Sequence, residues 1–361
     1  MEAWRLLDLG LAEPLVAQAF YEAVAEALHR GLVGNTLILL QPASPYVCVG
    51  YHQDLEREID LDFCQKMGLP VIRRSQGGGA TYLDSNQVFY QIVARDSPVV
   101  PRNIEEMFRR LLMVTVETYR RLGVDASFKP INDVVVGDRK ISGNGAGLHE
   151  SVLILVGNII LDLDYDAMAS VLRVPDEKFR DKIAKSMRDW VTSLRRELGY
   201  APSAEEVKRV YCDAFQEILG LRLLRGEPTT IEWRIFEEEV KPRHTSKEWL
   251  YMESPQAGEG RAVKIAGDVR VMEIDYKAKK LIRVRAEIKG SKILSINIRG
   301  DFFAVPREAV GRLEERLIGL ELEREPVSKA VERFYRDSGA QILGVEPTDL
   351  INAVLKLKEH L

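Results

Sequence analysis

The sequence predicts an α+β fold, a mixed β-sheet flanked by helices with a smaller α+β unit after it. Three observations predict it. Segments that alternate apolar and polar side chains are interleaved with segments of helical period. Hydrophobic residues make up 46% of the chain and charged residues 29%, enough to bury a sizeable core and unlike a disordered or collagenous chain. The length, 361 residues, corresponds to two domains at roughly 150 residues each. A turn-forming Gly226-Glu227-Pro228 places the boundary between 1–227 and 228–361.

The elements follow in order. Pro14 suits a first helical position and Gly31 a stop, so 14–30 reads as an amphipathic helix. Short strands are expected over 36–40 and 46–49, and a helix over 59–67 that Gly68 and Pro70 end. Residues 87–94 alternate as a strand. Over 103–122 the apolar side chains Ile104, Phe108, Leu111, Leu112, Tyr119 and Leu122 form a helical stripe. Asp133–Val136, the turn Gly137-Asp138 and Arg139-Lys140-Ile141 read as a hairpin. Residues 152–163 are a strand pair or one long bent strand, and helices are expected near 176–187, 191–198 and 203–219. In the second unit, 231–250 reads as partly helical. Strands are expected over 262–275, 281–289 and 293–298, and helices near 307–317, 326–338 and 347–360.

Charge and composition exclude several classes. Fifty-one Lys and Arg against 55 Asp and Glu give a net charge of −4, which argues against a nucleic-acid binder that relies on whole-chain charge. No apolar stretch reaches the roughly 18 residues of a membrane span. The start Met1-Glu2, with Asp8 and Glu13 close behind, is unlike a signal or transit peptide. Three cysteines without a CxxC pair make a disulfide framework unexpected and a cytoplasmic location the default. The five histidines are scattered, with no zinc-ligand spacing.

Two stretches carry chemistry. The first is Arg73-Arg74-Ser75-Gln76-Gly77-Gly78-Gly79-Ala80-Thr81-Tyr82-Leu83-Asp84. Three consecutive glycines let backbone N–H groups converge on an anion, and the two arginines supply fork-shaped donors. It is neither a P-loop nor a dinucleotide fingerprint, and a flexible hairpin turn is the plain alternative. The second is Asn132-Asp133-Val134-Val135-Val136-Gly137-Asp138-Arg139-Lys140-Ile141-Ser142-Gly143-Asn144-Gly145. A lysine among small residues can neutralise a phosphate or polarise an acyl oxygen, and Asn132 and Asp133 suit a nucleotide or a Mg²⁺ ion. An exposed hairpin with surface Lys and Arg is the plain alternative here.

Together the two stretches resemble the lipoate–protein ligase family, within the wider group of lipoyl and biotin protein ligases. Val49-Gly50-Tyr51-His52-Gln53 with Glu58-Ile59-Asp60, the segment from Lys185-Ser186 to Val191-Thr192-Ser193-Leu194, and Gly300-Asp301-Phe302-Phe303 of an accessory C-terminal domain add to the resemblance. It implies a biotin/lipoyl ligase-like catalytic domain. The implied activity is adenylation of lipoate or octanoate by ATP with Mg²⁺, and acyl transfer to a lysine of a lipoyl-carrier domain, a dehydrogenase E2 subunit or glycine-cleavage H protein. Under it Lys140 is the catalytic lysine. Arg73, Arg74, His52, Gly77, Gly78, Gly79, Ala80, Asn132, Asp133, Ser142 and Gly143 line the substrate or adenylate, and Asp133 is the metal contact. No nucleic acid or membrane is an expected partner. Two places depart from the family. Leu83-Asp84 stands where His-Asp is usual, and Val156-Gly157-Asn158 where His-Gly-Thr is usual; His149 lies upstream of that match. The nearest rival is an octanoyltransferase of the same fold that works without ATP through a cysteine thiolate. Its cysteine would lie a little before the lysine motif, and Asp125–Pro130 contains none. A non-catalytic module that binds carrier proteins is the rival of another class, and it has no need of Arg74 and Lys140.

Overall fold

The computed structural model describes residues 2–95, 97, 99–101, 103–174, 177–252, 263–266 and 269–360. The chain divides into two units, and their boundary is not a single point in the sequence. The first comprises Met1–Val49, Leu55–Arg74 and Ala80–Leu250; the second comprises Gly50–Asp54, Ser75–Gly79 and Tyr251–Leu361.

The first unit is built on β1 (Ala3–Ala12), β2 (Thr36–Pro42), β3 (Tyr46–Val49), β4 (Val71–Arg73), β5 (Thr81–Leu83), β6 (Gln87–Arg95), β7 (Ser127–Lys129), β8 (Asp133–Val136), β9 (Arg139–Ser142), β10 (Asn144–His149), β11 (Val152–Ile160) and β12 (Arg222–Gly226). Six of them form one mixed sheet in the order β10-β11-β6-β2-β1-β12. β1 runs parallel to β2 and β12, and the β2–β6–β11–β10 ladder is antiparallel. The helix Pro14–His29 starts at a proline and buries Ala17, Phe20, Val24 and Leu28 on one face of the sheet, against Ile38, Leu40, Phe89, Val93 and Ile154. Alternate strand residues point to the other face. There Tyr90 stacks on Tyr211 of the helix Ala204–Leu219, with ring centroids 4.7 Å apart. The helix Ile104–Arg121 is capped by the Asn103 side chain, which accepts from the Glu106 N–H, and it packs beside Ala204–Leu219. Two small sheets, β4-β3-β5 and β7-β8-β9, carry the motif segments.

Several expectations change here. Residues 152–160 form one strand rather than a pair. β1 and β12 have no counterpart among the expected strands. β1 buries Trp4, Leu6 and Leu7, so its two faces do not alternate cleanly. The segment 228–250 was expected to open the second unit, yet it packs with the first. Glu232, fully buried, forms a bidentate pair with Arg5, and Glu22 pairs with Arg243 and with His244, the latter at 2.9 Å. Trp233 stacks at 4.5 Å on Phe20. Removing these partners would strand buried charges, so the unit ends at Leu250 rather than at the Gly-Glu-Pro turn.

The second unit holds β13 (Val263–Ala266), β14 (Val269–Lys277), β15 (Leu281–Lys289), β16 (Lys292–Gly300), β17 (Phe303–Val305) and β18 (Gln341–Leu343). β13 to β16 form an antiparallel meander, and β17 pairs with β18. Residues 262, 267 and 268 of the expected 262–275 strand lie outside the described residues; the rest divides between β13 and β14. The helices Ala309–Leu317, Arg324–Ser338 and Pro347–Lys356 cover one face of the meander. Ile282, Val284, Ile298, Leu313, Val331 and Val354 fill the core between them. Among the described residues no helix is long and apolar enough to cross a membrane.

Candidate functional site

The lysine motif forms the β8–β9 hairpin, in which Val135 is opposite Lys140. The Lys140 Nζ lies 2.7 Å from Asp133 Oδ1, and the two side chains keep 38% and 33% of their exposure, enough to reach a ligand. The backbone beneath the pair is fixed from the far side. Thr192 N–H donates to the Lys140 carbonyl at 2.8 Å, and Lys140 bridges Val191 in parallel. The Val191–Thr192 part of the Lys-Ser segment is thus brought to the lysine motif by the fold. Arg139 points away from Lys140's partner; it makes a bidentate pair with Glu197, at 2.9 and 3.1 Å. Its charge is spent in holding the hairpin to the helix Leu194–Leu198.

Behind the hairpin lies a layer of buried polar side chains. Asn132 Nδ2 donates to the Asn144 carbonyl at 2.5 Å, and Asn144 Nδ2 donates back to the Asn132 carbonyl at 3.0 Å. The Tyr90 hydroxyl donates to Asn144 Oδ1, and burial pushes that phenol up to about 12, so it stays a donor. A Cβ on Gly157 would lie 2.2 Å from Asn144 Oδ1 and 2.4 Å from Tyr90 Cζ, so only glycine leaves room for this pair. The Ser142 hydroxyl is buried and donates to the Asn158 carbonyl at 2.6 Å, while the Gly143 N–H donates to Asn158 Oδ1 at 2.8 Å. Asn132, Ser142 and Gly143, expected as ligand contacts, therefore direct these groups into the protein. Sequence reasoning missed Tyr90 and Gln87 as parts of this layer, and it singled out the stretch that holds Asn144 without giving that residue a role. The one signal was the Gly157-Asn158 pair, noted only as a departure from a motif.

The first-unit residues of the arginine–glycine stretch sit on the β4-β3-β5 sheet. Arg73 is fully buried. Its Nε donates to the Leu250 carbonyl at 2.9 Å, and its own carbonyl accepts from Trp249 Nε1 at 2.9 Å. It anchors the 241–250 segment. Arg74 is half-buried; its N–H donates to the Val49 carbonyl, and one guanidinium nitrogen lies 3.3 Å from Cys48 Sγ. Ala80 is half-buried ahead of β5.

His52 and the three glycines belong to the second unit. The His52 ring is buried, 4.9 Å from Tyr51 and 5.1 Å from Phe302 between ring centroids, and its carbonyl accepts from Gly300 N–H at 3.0 Å. A Cβ on Gly77 would lie 2.2 Å from the Phe302 carbonyl oxygen, and the Gly78 N–H donates to that oxygen at 3.3 Å. Here the missing Cβ admits the carbonyl of Phe302, between β16 and β17, not an open anion site. Gly79 is exposed, with nothing within 4 Å of its Cβ position.

The thiols and the metal question can be settled among the described residues. Cys48 and Cys64 are buried, and Cys212 is half-buried; none is in a disulfide. Burial pushes Cys64 up to about 11 and Cys212 up to about 12. Burial also raises Cys48, against the pull of the adjacent Arg74 guanidinium. None is an activated thiolate. No group of three or more His, Cys, Asp or Glu side chains converges in the described residues. Asp133 is a single carboxylate with an ammonium against it, which does not fit a resident metal. His149 is not near this hairpin's lysine end. It closes the β10–β11 hairpin, opposite Val152, and bonds Glu26 of the first helix at 2.5 Å. Asn144, at the other end of β10, is roughly 16 Å away along the strand.

Residues 13–216 match the lipoyl protein ligase A/B catalytic domain, and residues 280–353 match the bacterial lipoate protein ligase C-terminus. The chain is 31% identical over 273 residues to octanoyltransferase LipM of Kyrpidia tusciae, covering 70% of this chain and 99% of that one. It is 26% identical over 299 residues to lipoate-protein ligase LplJ of Bacillus subtilis, 82% of this chain and 84% of that one. Among solved structures it is similar to the bi-partite lipoate protein ligase of Thermoplasma acidophilum, described with its E2 lipoyl domain. That similarity has a TM-score of 0.62 and 28% identity, over 72% of this chain and 100% of that one.

Proposed function

The chain belongs to the lipoyl protein ligase A/B family, and from that premise we propose that it is an ATP-dependent lipoate–protein ligase. It is an enzyme that handles lipoate or a related acyl chain in the modification of carrier proteins; the ATP-dependent form of that chemistry is our reading. In the first step a carboxylate oxygen of lipoate attacks the α-phosphorus of ATP. The new O–P bond gives lipoyl-AMP, and the broken P–O bond releases pyrophosphate. In the second step the amine of a lysine on a lipoyl-carrier domain attacks the acyl carbonyl. A C–N bond forms, the C–O bond to AMP breaks, and the amine gives up a proton.

The observation that carries the reading is the half-exposed Lys140–Asp133 pair on a backbone fixed from behind. Negative charge builds on the α-phosphate oxygens as pyrophosphate leaves. A pre-positioned ammonium stabilises that charge without reorganising at the moment of reaction. Arg74 is the second cation we assign to the anionic substrate, and Asp133 holds the ammonium in place until phosphate replaces it. Mg²⁺ would arrive with the nucleotide, held by its phosphates and by few protein groups; no step here is routed through it. Three free thiols suit the reducing cytoplasm, where we place the enzyme.

The relatives named octanoyltransferase favour a second reading, acyl transfer without ATP. That chemistry needs a thiolate. The three thiols of this chain are buried or half-buried and pushed up, and Asp125–Pro130 carries none, so the ligase reading is the stronger. Lipoate-dependent exchange of labelled pyrophosphate into ATP tests it. Exchange by the native protein that Lys140→Ala lowers by about 10²–10³ is the expected result. Octanoyl transfer between carrier proteins in the absence of ATP, with no exchange, would replace it with the transferase.

A further inference from the structure

Asn158 ends the Val156-Gly157-Asn158 run, and its surroundings explain what it does. It lies on β11 opposite Phe89 of β6. Its carbonyl accepts from the Ser142 hydroxyl at 2.6 Å, and its Oδ1 accepts from the Gly143 N–H at 2.8 Å. It therefore grips the two residues that follow Lys140-Ile141 in the chain. Its Nδ2 donates to Gln87 Oε1 at 2.7 Å, and the buried Gln87 in turn donates its Nε2 to the Tyr82 carbonyl at 3.3 Å. The second bond sets which end of the Gln87 amide faces Asn158, and so which end of the Asn158 amide faces Gly143. A carboxylate at 158 would bring two acceptors together.

The Lys140 side chain runs past the space that a side chain at Gly143 would enter. A Cβ on Gly143 would be 3.5 Å from Lys140 Cε and 3.8 Å from both Lys140 Nζ and Asn158 Oδ1. Where the Gly143 backbone sits thus decides where the ammonium can sit, and the Asn158 amide decides the backbone.

We propose that Asn158, held by Gln87, is a positioning residue that sets the Lys140 ammonium against Asp133 through the Gly143 backbone. The inference rests on the role given to Lys140 in the proposed function, and one arm of its test does not.

The test compares Asn158→Ala with the native protein in the pyrophosphate exchange assay, and again in a Lys140→Ala background. Loss of the Asn158 side chain's two hydrogen bonds, of which the one to Gly143 bears on the lysine, should lower exchange about tenfold in the first comparison. If Asn158 acts only through the lysine, the Lys140→Ala/Asn158→Ala protein is no slower than Lys140→Ala alone. The independent arm measures acetylation of Lys140 by acetic anhydride, read by mass spectrometry against the exposed Lys292. Freed from its wall, Lys140 should label roughly threefold faster in Asn158→Ala, the scale of part of one hydrogen bond. An equal loss in both backgrounds, or unchanged labelling of Lys140, overturns the proposal. If the native protein gives no exchange, the ligase reading fails by itself and the labelling arm alone decides the positioning role. If Asn158→Ala does not fold, Gln87→Met carries both comparisons. It removes the bonds to Asn158 and to the Tyr82 carbonyl but leaves the Asn158–Gly143 bond, with an expected effect of about threefold, and no change in either arm overturns the proposal.

Discussion

Lys140 and Asp133 face each other at 2.7 Å on a hairpin whose Ser142 hydroxyl and Gly143 N–H are turned inward onto Asn158. The two side chains keep 38% and 33% of their exposure, and the Lys140 carbonyl accepts from the Thr192 N–H behind them. Replacing Lys140 by alanine should therefore lower lipoate-dependent pyrophosphate exchange by about 10²–10³, the scale of one lost electrostatic donor at a developing anion. Lys140→Arg should not restore it, because a planar fork does not take the place of a compact ammonium on a short path. Full exchange in Lys140→Arg would show that charge alone suffices.

The buried thiols give a second test. With Cys64 near 11, Cys212 near 12 and Cys48 also raised by burial, almost no thiolate exists at neutral pH. Iodoacetamide at pH 7.5 should leave all three unmodified over a period in which the denatured protein reacts at each, and activity should survive the treatment. A single fast-reacting cysteine whose alkylation stops acyl transfer would favour the thiolate enzyme instead.

Gly157 and Gly79 separate packing from exposure. A Cβ at Gly157 meets Asn144 Oδ1 and Tyr90, whereas one at Gly79 meets nothing within 4 Å. Gly157→Ala should cost about 1–3 kcal/mol of stability, as overpacking does, measured by urea denaturation of the whole chain. Gly79→Ala should change stability by less than about 0.5 kcal/mol, the usual range for exposed sites. Equal costs at the two positions would contradict the Tyr90–Asn144 packing.

The boundary of the first unit is testable by truncation. A chain ending at Leu250 keeps the Arg5–Glu232 and Glu22–His244 pairs and the Trp249–Arg73 bond. One ending at residue 227 deprives Glu22 of Arg243 and His244 and Arg5 of Glu232. The shorter protein should be less stable by about 3 kcal/mol or more, or fail to accumulate, because a buried charge loses its counter-charge. Equal midpoints in thermal unfolding would return the boundary to the Gly-Glu-Pro turn. Neither truncation should form lipoyl-adenylate at the native rate.

Much of this was legible in the sequence. The proline-started helix at Pro14, the capped helix after Asn103, the 133–142 hairpin and the meander after residue 269 follow from local period, caps and turns. β1 was not legible, since Trp4, Leu6 and Leu7 fill both faces of a strand that sits between β2 and β12. Nor was the fate of the charges. Local sequence makes Arg73, Arg74, Arg139 and Lys140 one cationic group. The fold buries Arg73 against Leu250, pairs Arg139 with Glu197, sets Arg74 beside Cys48 and leaves Lys140 at the surface with Asp133.

The sequence by itself thus determined the family's two motifs, the mixed α+β class and the presence of two units, because each is written in residue types and spacing within a few turns of chain. Only the tertiary structure decided which motif residues face outward. Asn132, Ser142 and Gly143 spend their polar groups on Asn144 and Asn158, and Gly77 admits the Phe302 carbonyl. Such pairings join residues far apart in the chain, and a buried polar group takes whichever partner the packing brings to it.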